Sequence, residues 1–399
     1  MRYFSVLLLS SLVVAPLLTA QDQERGRSGV IVPDSSLESP FDIGVASHTN
    51  HLIRIRPAAA GGQAALSPSD LQSAYAVTPT TLTRPAIAVI LAFHNPYAQS
   101  DFNAFSDLFG LHREDSSDIT DLNNPYLSVI YASGKQPRFN SGWSQESSLD
   151  IEWSHAMSPT AKIFLVEAKS NFNSDLLAAV SKAATLPGVA QISMSWGGSE
   201  FSSEASPSYE NYFTKEGICF FAASGDTGGK IIWPSVSANV VAAGGTTLSM
   251  SSGAFSSETG WSGSGGGNSL YVPKPAWQTG IGGRKRSVPD LSSDADPNTG
   301  VLVVWNSGTY QFGGTSVSSP CLAGMANTCG VTSSSNDFLA RLYNRYSTNV
   351  DSSGKPLGTY SNYYRDITSG TAGSFTCGAG WDFVTGVGSP NGTPAFVGP

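Results

Sequence analysis

The first place where this sequence could carry out covalent chemistry is Gly313-Gly314-Thr315-Ser316-Val317-Ser318-Ser319-Pro320. Glycines just before a nucleophilic serine let backbone and substrate approach closely. A helix opening at Ser316 would aim its N–H groups and positive dipole end at a developing oxyanion. Pro320 reads as part of the first helical turn, where its missing N–H costs little. Alone, the segment also fits a glycine turn with a capping serine.

A serine nucleophile needs a base. The histidines are His48, His51, His94, His112 and His155, and none lies in an HGTH setting. His48 and His51 fall in a stretch that reads as a pro-segment, and His112 in a polar loop. His94 follows a strand and His155 lies on a helix, so a Ser-His-Asp hydrolase using one of them stays open. Carboxylates offer another base. Glu146 and Asp150 stand at i and i+4 on a predicted helix and share one face. On a surface helix such a pair repels; a shared proton relieves the repulsion and splits the two titrations. Glu152 points elsewhere. A third acid, Asp226 in Ala223-Ser224-Gly225-Asp226-Thr227-Gly228, follows an apolar strand. Alone it also reads as a glycine turn with an Asx hydrogen bond.

The elements that must position these groups alternate between strand and helix. Mostly continuous apolar runs at 87–93, 127–132, 162–168, 191–196, 217–223 and 239–243 read as strands covered on both faces. Helical patterns span 146–157, 174–186 and 316–328, and Leu66-Ser67-Pro68-Ser69-Asp70-Leu71 reads as a helix start. The alternation predicts an α/β fold with a parallel sheet, right-handed crossovers and an active site at the carboxyl ends of the strands.

Bulk properties narrow the function class. Charged residues make up 13% of the 399-residue chain and the net charge is -8, which argues against a nucleic-acid binder. A sparse charge suits an acidic medium. Residues 1–20, with Arg2 before an apolar run from Val6 to Leu18, read as a signal peptide, implying a secreted, extracellular protein; no later stretch could cross a membrane. Residues 21–65 read as a short pro-segment or linker and 66–399 as one catalytic domain. Among the four cysteines, Cys321 and Cys329 would stand about 12 Å apart on one helix, too far to bridge. Cys329 with Cys377 is the expected pairing, and Cys219 a buried thiol. No CxxC pair or His/Cys cluster suggests zinc.

Taken together, the motifs carry a family resemblance. ESSLDIEWSHAMSPTAKIFLVEA from Glu146, QISMSWGG from Gln191, FAASGDTG from Phe221, VVAAGGTTL from Val240, SETGWSGSGGGNS from Ser257, VPDLSSDADPNTG from Val288, GGTSVSSP and GWDFVTGVGSP occur in that order. Over 66–390 the chain resembles the sedolisins, or serine-carboxyl peptidases. The resemblance implies a subtilisin-like parallel sheet flanked by helices, in a single large catalytic domain. It implies Ser316 as nucleophile, Glu146 as base, Asp150 as the acid that orients Glu146 and shares its proton, and Asp226 beside the Ser316 N–H in the oxyanion hole. A neutral Asp226 can donate to the oxyanion and an ionised one repels it, so the expected optimum is acid. One structural Ca²⁺ is implied at Asp366, Ile367, Gly378, Gly380 and Asp382, with carboxylates and carbonyls as hard donors. Ser195-Trp196-Gly197 and the run 263–267 resemble the edges of a cleft where an extended peptide adds as a strand.

The expected activity is endopeptidase cleavage of polypeptide substrates by a monomer, with tripeptidyl release as the alternative within the family. A non-catalytic homologue would have lost one of the four site residues, and all four are present. One departure stands out: the family carries a large folded pro-domain, whereas only about 45 residues separate the signal from the catalytic domain here.

Overall fold

The computed structural model describes residues 29–54 and 64–397. In chain order the first elements are β1 (Val30–Ile31), β2 (His48–Thr49), β3 (Leu52–Arg54) and α1 (Pro68–Ala74). Next come β4 (Ala86–Ala92), α2 (Ala98–Phe109), β5 (Leu127–Tyr131), α3 (Ser141–Met157), β6 (Ile163–Ala168), α4 (Asn173–Ala183), β7 (Val189–Met194), β8 (Trp196–Gly197) and β9 (Cys219–Ala223). After β10 (Val241–Ser251) and β11 (Ala254–Gly260) follow β12 (Gly267–Pro273), β13 (Lys285–Val288), β14 (Leu291–Asp294), β15 (Val301–Trp305), β16 (Gly308–Gly313), α5 (Thr315–Thr328) and α6 (Ser335–Thr348).

The central sheet has eight strands, in the order β11-β10-β9-β7-β4-β6-β5, with β14 also on β10. All its pairings are parallel except β10 with β11. Strands β4, β6, β7 and β9 are buried along their whole length, as their mostly apolar runs predict. The expected parallel α/β sheet is therefore present. Among the described residues no helix is long and apolar enough to cross a membrane.

Two buried helices bring the candidate residues together. In α3 every residue from Gly142 to Met157 is buried except Gln145, although the helix carries three acids. The helix starts five residues before the predicted Glu146, because the Asn140 side chain caps it by accepting the Trp143 N–H at 3.1 Å. Helix α5 is buried throughout. The two cross at Gly324, where a Cβ would stand 2.6 Å from Met157 Cβ and 3.0 Å from Ser154 O. Pro320 departs from its expected place. Helix α5 begins at Thr315, so Pro320 lies beyond the first turn and removes the donor that would have served the Ser316 carbonyl. The Ser195 hydroxyl approaches that carbonyl instead, at 3.4 Å.

The expected Cys329–Cys377 bridge does not form. All four thiols are free. Cys329 lies against the Thr393 hydroxyl at 3.8 Å, while Cys377 packs into a separate small cluster with Ile367, Ala372 and Val384. Cys219 is a buried thiol, as expected.

Candidate active site

The structure brings Glu146, Asp150, Asp226 and Ser316 to one place, at the carboxyl ends of β7 and β9 and the N-terminus of α5. Glu146, Asp150 and Ser316 have no solvent exposure. Burial holds the Glu146 carboxyl well above the usual carboxylate range, while the Ser316 hydroxyl and the Asn50 N–H pull it back. Asp150 is also held high, by burial and then by repulsion from Glu146. The Ser195 hydroxyl donates to Asp150 Oδ1 at 2.8 Å. Glu146 Oε1 and Asp150 Oδ2 are buried acceptors with no donor. One proton shared between the carboxyls would satisfy both, which is the arrangement that an i, i+4 pair of buried acids favours.

Asp226 is fixed from one side only. Its Oδ1 accepts from the Thr315 N–H and from the Thr315 hydroxyl, each at 2.8 Å. Its Oδ2 is shut off from solvent and has no partner. Burial raises this carboxyl to about 7 against those two hydrogen bonds, so below neutrality it carries a proton that can be donated. Gly314, at φ 100°, makes room for the group: a Cβ there would lie 2.5 Å from Asp226 Oδ2 and 2.2 Å from the carbonyl oxygen of Asn50.

That carbonyl belongs to the segment that read as a pro-segment. Residues 46–54 run through the site. Strand β2 pairs antiparallel with β8, His48 opposite Gly197 and Thr49 opposite Trp196. On its other flank the Ser47 N–H donates to Asn171 O at 2.9 Å. Strand β3 pairs with β16, Leu52 opposite Gly313 and Arg54 opposite Gln311, and β1 pairs back onto β3. Between the two strands the Asn50 carbonyl accepts the Ser316 N–H at 3.0 Å. The Asn50 N–H donates to Ser316 Oγ at 3.2 Å. The Ser316 hydroxyl donates to Ser195 O, also at 3.2 Å. The segment is thus laid over the serine as an extended peptide, its carbonyl on the backbone donor that an oxyanion would use.

His51 is the functional residue that sequence reading missed. Its Nδ1 lies 2.6 Å from Glu146 Oε2, both side chains are fully buried, and its ring stacks on Phe312 at 5.4 Å. Burial pushes the imidazole down to about 4. The two histidines kept as alternative bases stand elsewhere: His94 Nδ1 on Glu167 at 2.8 Å, and His155 Nε2 on the His112 carbonyl at 2.9 Å. Among the glycines of the 263–267 run, Gly265 and Gly266 pack against Ser224 O and Phe383 O, where a Cβ would clash at 2.0 and 1.8 Å. Gly266 and Gly267 also line a cavity together with Glu38 and His48.

The expected metal residues gather in the C-terminal loops. Asp366 Oδ1 accepts the Gly380 N–H at 2.9 Å. Asp382 accepts from Val384, Thr385 and Gly378 N–H groups at 2.8, 2.9 and 3.2 Å. Burial raises both carboxyls, Asp382 to about 6, and both acids act on Tyr360 and Cys377. No group of three or more His, Cys, Asp or Glu suited to a metal occurs among the described residues. A cation held here would take its remaining oxygens from the backbone, which suits a hard ion and not a soft one.

Residues 134–329 match the subtilase family. The chain is 32% identical to kumamolisin of Bacillus sp. (strain MN-32), over 67% of this chain and 52% of the relative. It is 36% identical to sedolisin of Pseudomonas sp. (strain 101), over 40% of this chain and 28% of the relative. It therefore spans about half, or less, of the length of these relatives. Among solved structures it superimposes on Pseudomonas sedolisin, a serine-carboxyl proteinase complexed with two molecules of pseudo-iodotyrostatin, with a TM-score of 0.67 and 25% identity. That match covers 83% of this chain and 96% of the other.

Proposed function

This chain belongs to the sedolisin family, and on that premise we propose that it is a secreted, acid-acting endopeptidase in which Glu146 activates Ser316. The observation that carries the proposal is the Asn50 carbonyl on the Ser316 N–H, with a protonatable Asp226 across Gly314. The export reading rests on residues 1–20, outside the described residues.

The peptide bond aligned with the serine is Asn50–His51. Ser316 Oγ attacks the Asn50 carbonyl carbon and its proton passes to Glu146. Asp150 keeps Glu146 oriented and shares its proton. Negative charge gathers on the Asn50 oxygen, where the Ser316 N–H and the neutral Asp226 donate to it. When the C–N bond breaks, Glu146 returns the proton to the His51 amine. Water, with Glu146 again as base, then hydrolyses the ester on Ser316. No histidine is needed in these steps, and His51 belongs to the peptide being cut.

Endopeptidase action is favoured over tripeptidyl release. The seated segment continues on both sides of Ser316, through Ala46–Thr49 on one side and through Leu52–Arg54 on the other. A cleft built to release tripeptides would close just past the third residue. Intact mass and N-terminal sequencing after incubation at acid pH test the function. A new terminus at His51 is expected in the native chain and none in the Ser316→Ala chain. A native chain that stays whole and cleaves no added polypeptide would end the proposal.

Calcium is inferred at Asp366, Asp382 and the carbonyls of Ile367, Gly378 and Gly380. A bound ion would neutralise two part-buried carboxylates and brace the loops behind β14. At a calcium concentration a hundred times Kd it would stabilise the fold by about 2.7 kcal/mol. A chelator should therefore lower the melting temperature, and added calcium should restore it. The same melting temperature with chelator and with calcium would remove the ion from the account.

A further inference from the structure

The Asn50–His51 bond is bridged by contacts that do not run through it. On the His51 side, β3 pairs with β16, and Ile53 is buried in the core with Phe312, Val301 and Leu66. The His51 ring stacks on Phe312 and rests on Glu146, and Arg54 Nη1 donates to Asn298 O and Oδ1, each at 3.0 Å. On the Asn50 side, the Glu38 carboxyl accepts the Ser199 N–H at 2.7 Å and the Ser199 hydroxyl at 2.6 Å. The Asn173 N–H donates to Val45 O at 2.8 Å, and the Asn171 amide to Ser47 O at 2.9 Å. The two sides also hold each other. Strand β1 pairs with β3, Val30 opposite Arg54 and Ile31 opposite Ile53. The Ser36 hydroxyl lies 2.8 Å from Thr49 Oγ1 and 3.2 Å from the His51 carbonyl oxygen, so it touches the chain before and after the bond.

Breaking the one C–N bond leaves all of these contacts in place. The new His51 amine stays beside the acyl group, because β3 and Ile53 hold its chain. The acyl group stays on Ser316, because residues 46–49 remain paired on both flanks. Asn50 and His51 are 2% and 0% exposed, so water reaches the ester poorly while the amine is already there. A nucleophile held against its electrophile acts at an effective concentration of about 10⁵ M or more, far above that of bulk water.

We propose that the site also reseals the bond it cuts: residues 46–54 are a clamped substrate, and the His51 amine returns to the Asn50 acyl group faster than the leading segment departs. This deepens the peptidase reading and rests on it. In the return step the His51 nitrogen attacks the ester carbon, the C–N bond forms and the C–O bond to Ser316 breaks. The amine proton passes to Glu146 and from there to Ser316 Oγ. When water takes the ester first, the Asn50 carboxyl re-forms it on Ser316 with loss of one water, and the amine then closes the bond. No further reactant is consumed, because the cut ends do not separate. Departure of the segment that ends at Asn50 stops the cycle and opens the cleft to other polypeptides.

The test is incubation of the full chain at acid pH in water enriched in oxygen-18. Tandem mass spectrometry then reads the peptide that spans residues 50 and 51 in chains that are still whole. Hydrolysis followed by resealing leaves the heavy oxygen in the Asn50 carbonyl. Labelled whole chain should therefore accumulate as cut chain appears, at a rate per chain unchanged by about tenfold dilution, since the reacting ends belong to one molecule. Ser316→Ala should take no label. Ser36→Ala, alone and with Ile31→Pro, loosens the cross-contacts away from the reacting groups. The ratio of labelled whole chain to cut chain should fall in both, by about tenfold or more in the double variant. Cut chain, or cleavage of added polypeptide, beside whole chain free of label would overturn resealing. So would a native ratio in the double variant, a labelling rate that rises with protein concentration, or label in Ser316→Ala. Neither cut chain nor label, with added polypeptide also left intact, would instead overturn the peptidase reading, so the two failures differ.

Discussion

Ser316→Ala is expected to lower kcat on peptide substrates by about a millionfold, with the leading segment left uncut. The variant removes the hydroxyl that accepts the Asn50 N–H at 3.2 Å, beside the Asn50 carbonyl held on the Ser316 N–H, while leaving its neighbours in place. The side chain is small, fully buried and followed by a helix whose contacts do not depend on the hydroxyl. The melting temperature should therefore stay near that of the native chain, separating a lost nucleophile from a lost fold. Activity within tenfold of native would mean that another group performs the attack. The assay is steady-state cleavage of a fluorogenic peptide by acid-treated protein.

Asp226→Ala should cost about 10²- to 10³-fold in kcat, the usual loss when one oxyanion donor is removed. Asp226→Asn separates the two roles of the carboxyl. Its carbonyl oxygen can still accept from the Thr315 N–H and hydroxyl, and its amide can donate where Oδ2 stands. The sign of the pH effect follows from a carboxyl raised to about 7. Below that value it is neutral and donates; as pH rises through it, ionisation puts a negative charge against the oxyanion and the rate falls. An Asn never ionises, so the variant should be less affected by alkali than the native enzyme on that limb. A kcat–pH profile for Asp226→Asn that coincides with the native one would remove Asp226 from the oxyanion hole.

The parts of the fold that were legible are those with a local signature. The run Ala86–Ala92 is an unbroken apolar stretch and Ile163–Ala168 is broken only by Glu167, and their burial on both faces is what such runs mean. The i, i+4 spacing of Glu146 and Asp150 placed both on one helical face, which no tertiary contact could undo. What stayed hidden depends on long-range pairing. The strands at 48–49 and 52–54 are two and three residues long, and only their partners at 196–197 and 311–313 make them strands. His51 meets Glu146 across 95 residues of sequence. The one local hint was Leu52-Ile53, a β-prone pair in a polar stretch. The Cys329–Cys377 pairing failed for the same reason: spacing removed one partner but could not tell that Cys377 packs in its own small cluster. Pro320 was misplaced by the residue count and not by the helix start: from Ser316 or from Thr315, where Gly314 sets the helix without a capping side chain, it lies beyond the first turn.

If a carboxylate activates the serine, then disabling that carboxylate must stop acylation itself. The direct measurement is single-turnover reaction of the acid-processed protein with an activated peptide ester, quenched and mapped by mass spectrometry. The account predicts one acyl group on the peptide containing Ser316, and a drop in its rate of formation of about 10⁴-fold or more in Glu146→Gln. An acyl group on another residue, or acylation of Ser316 at an undiminished rate without Glu146, would contradict it.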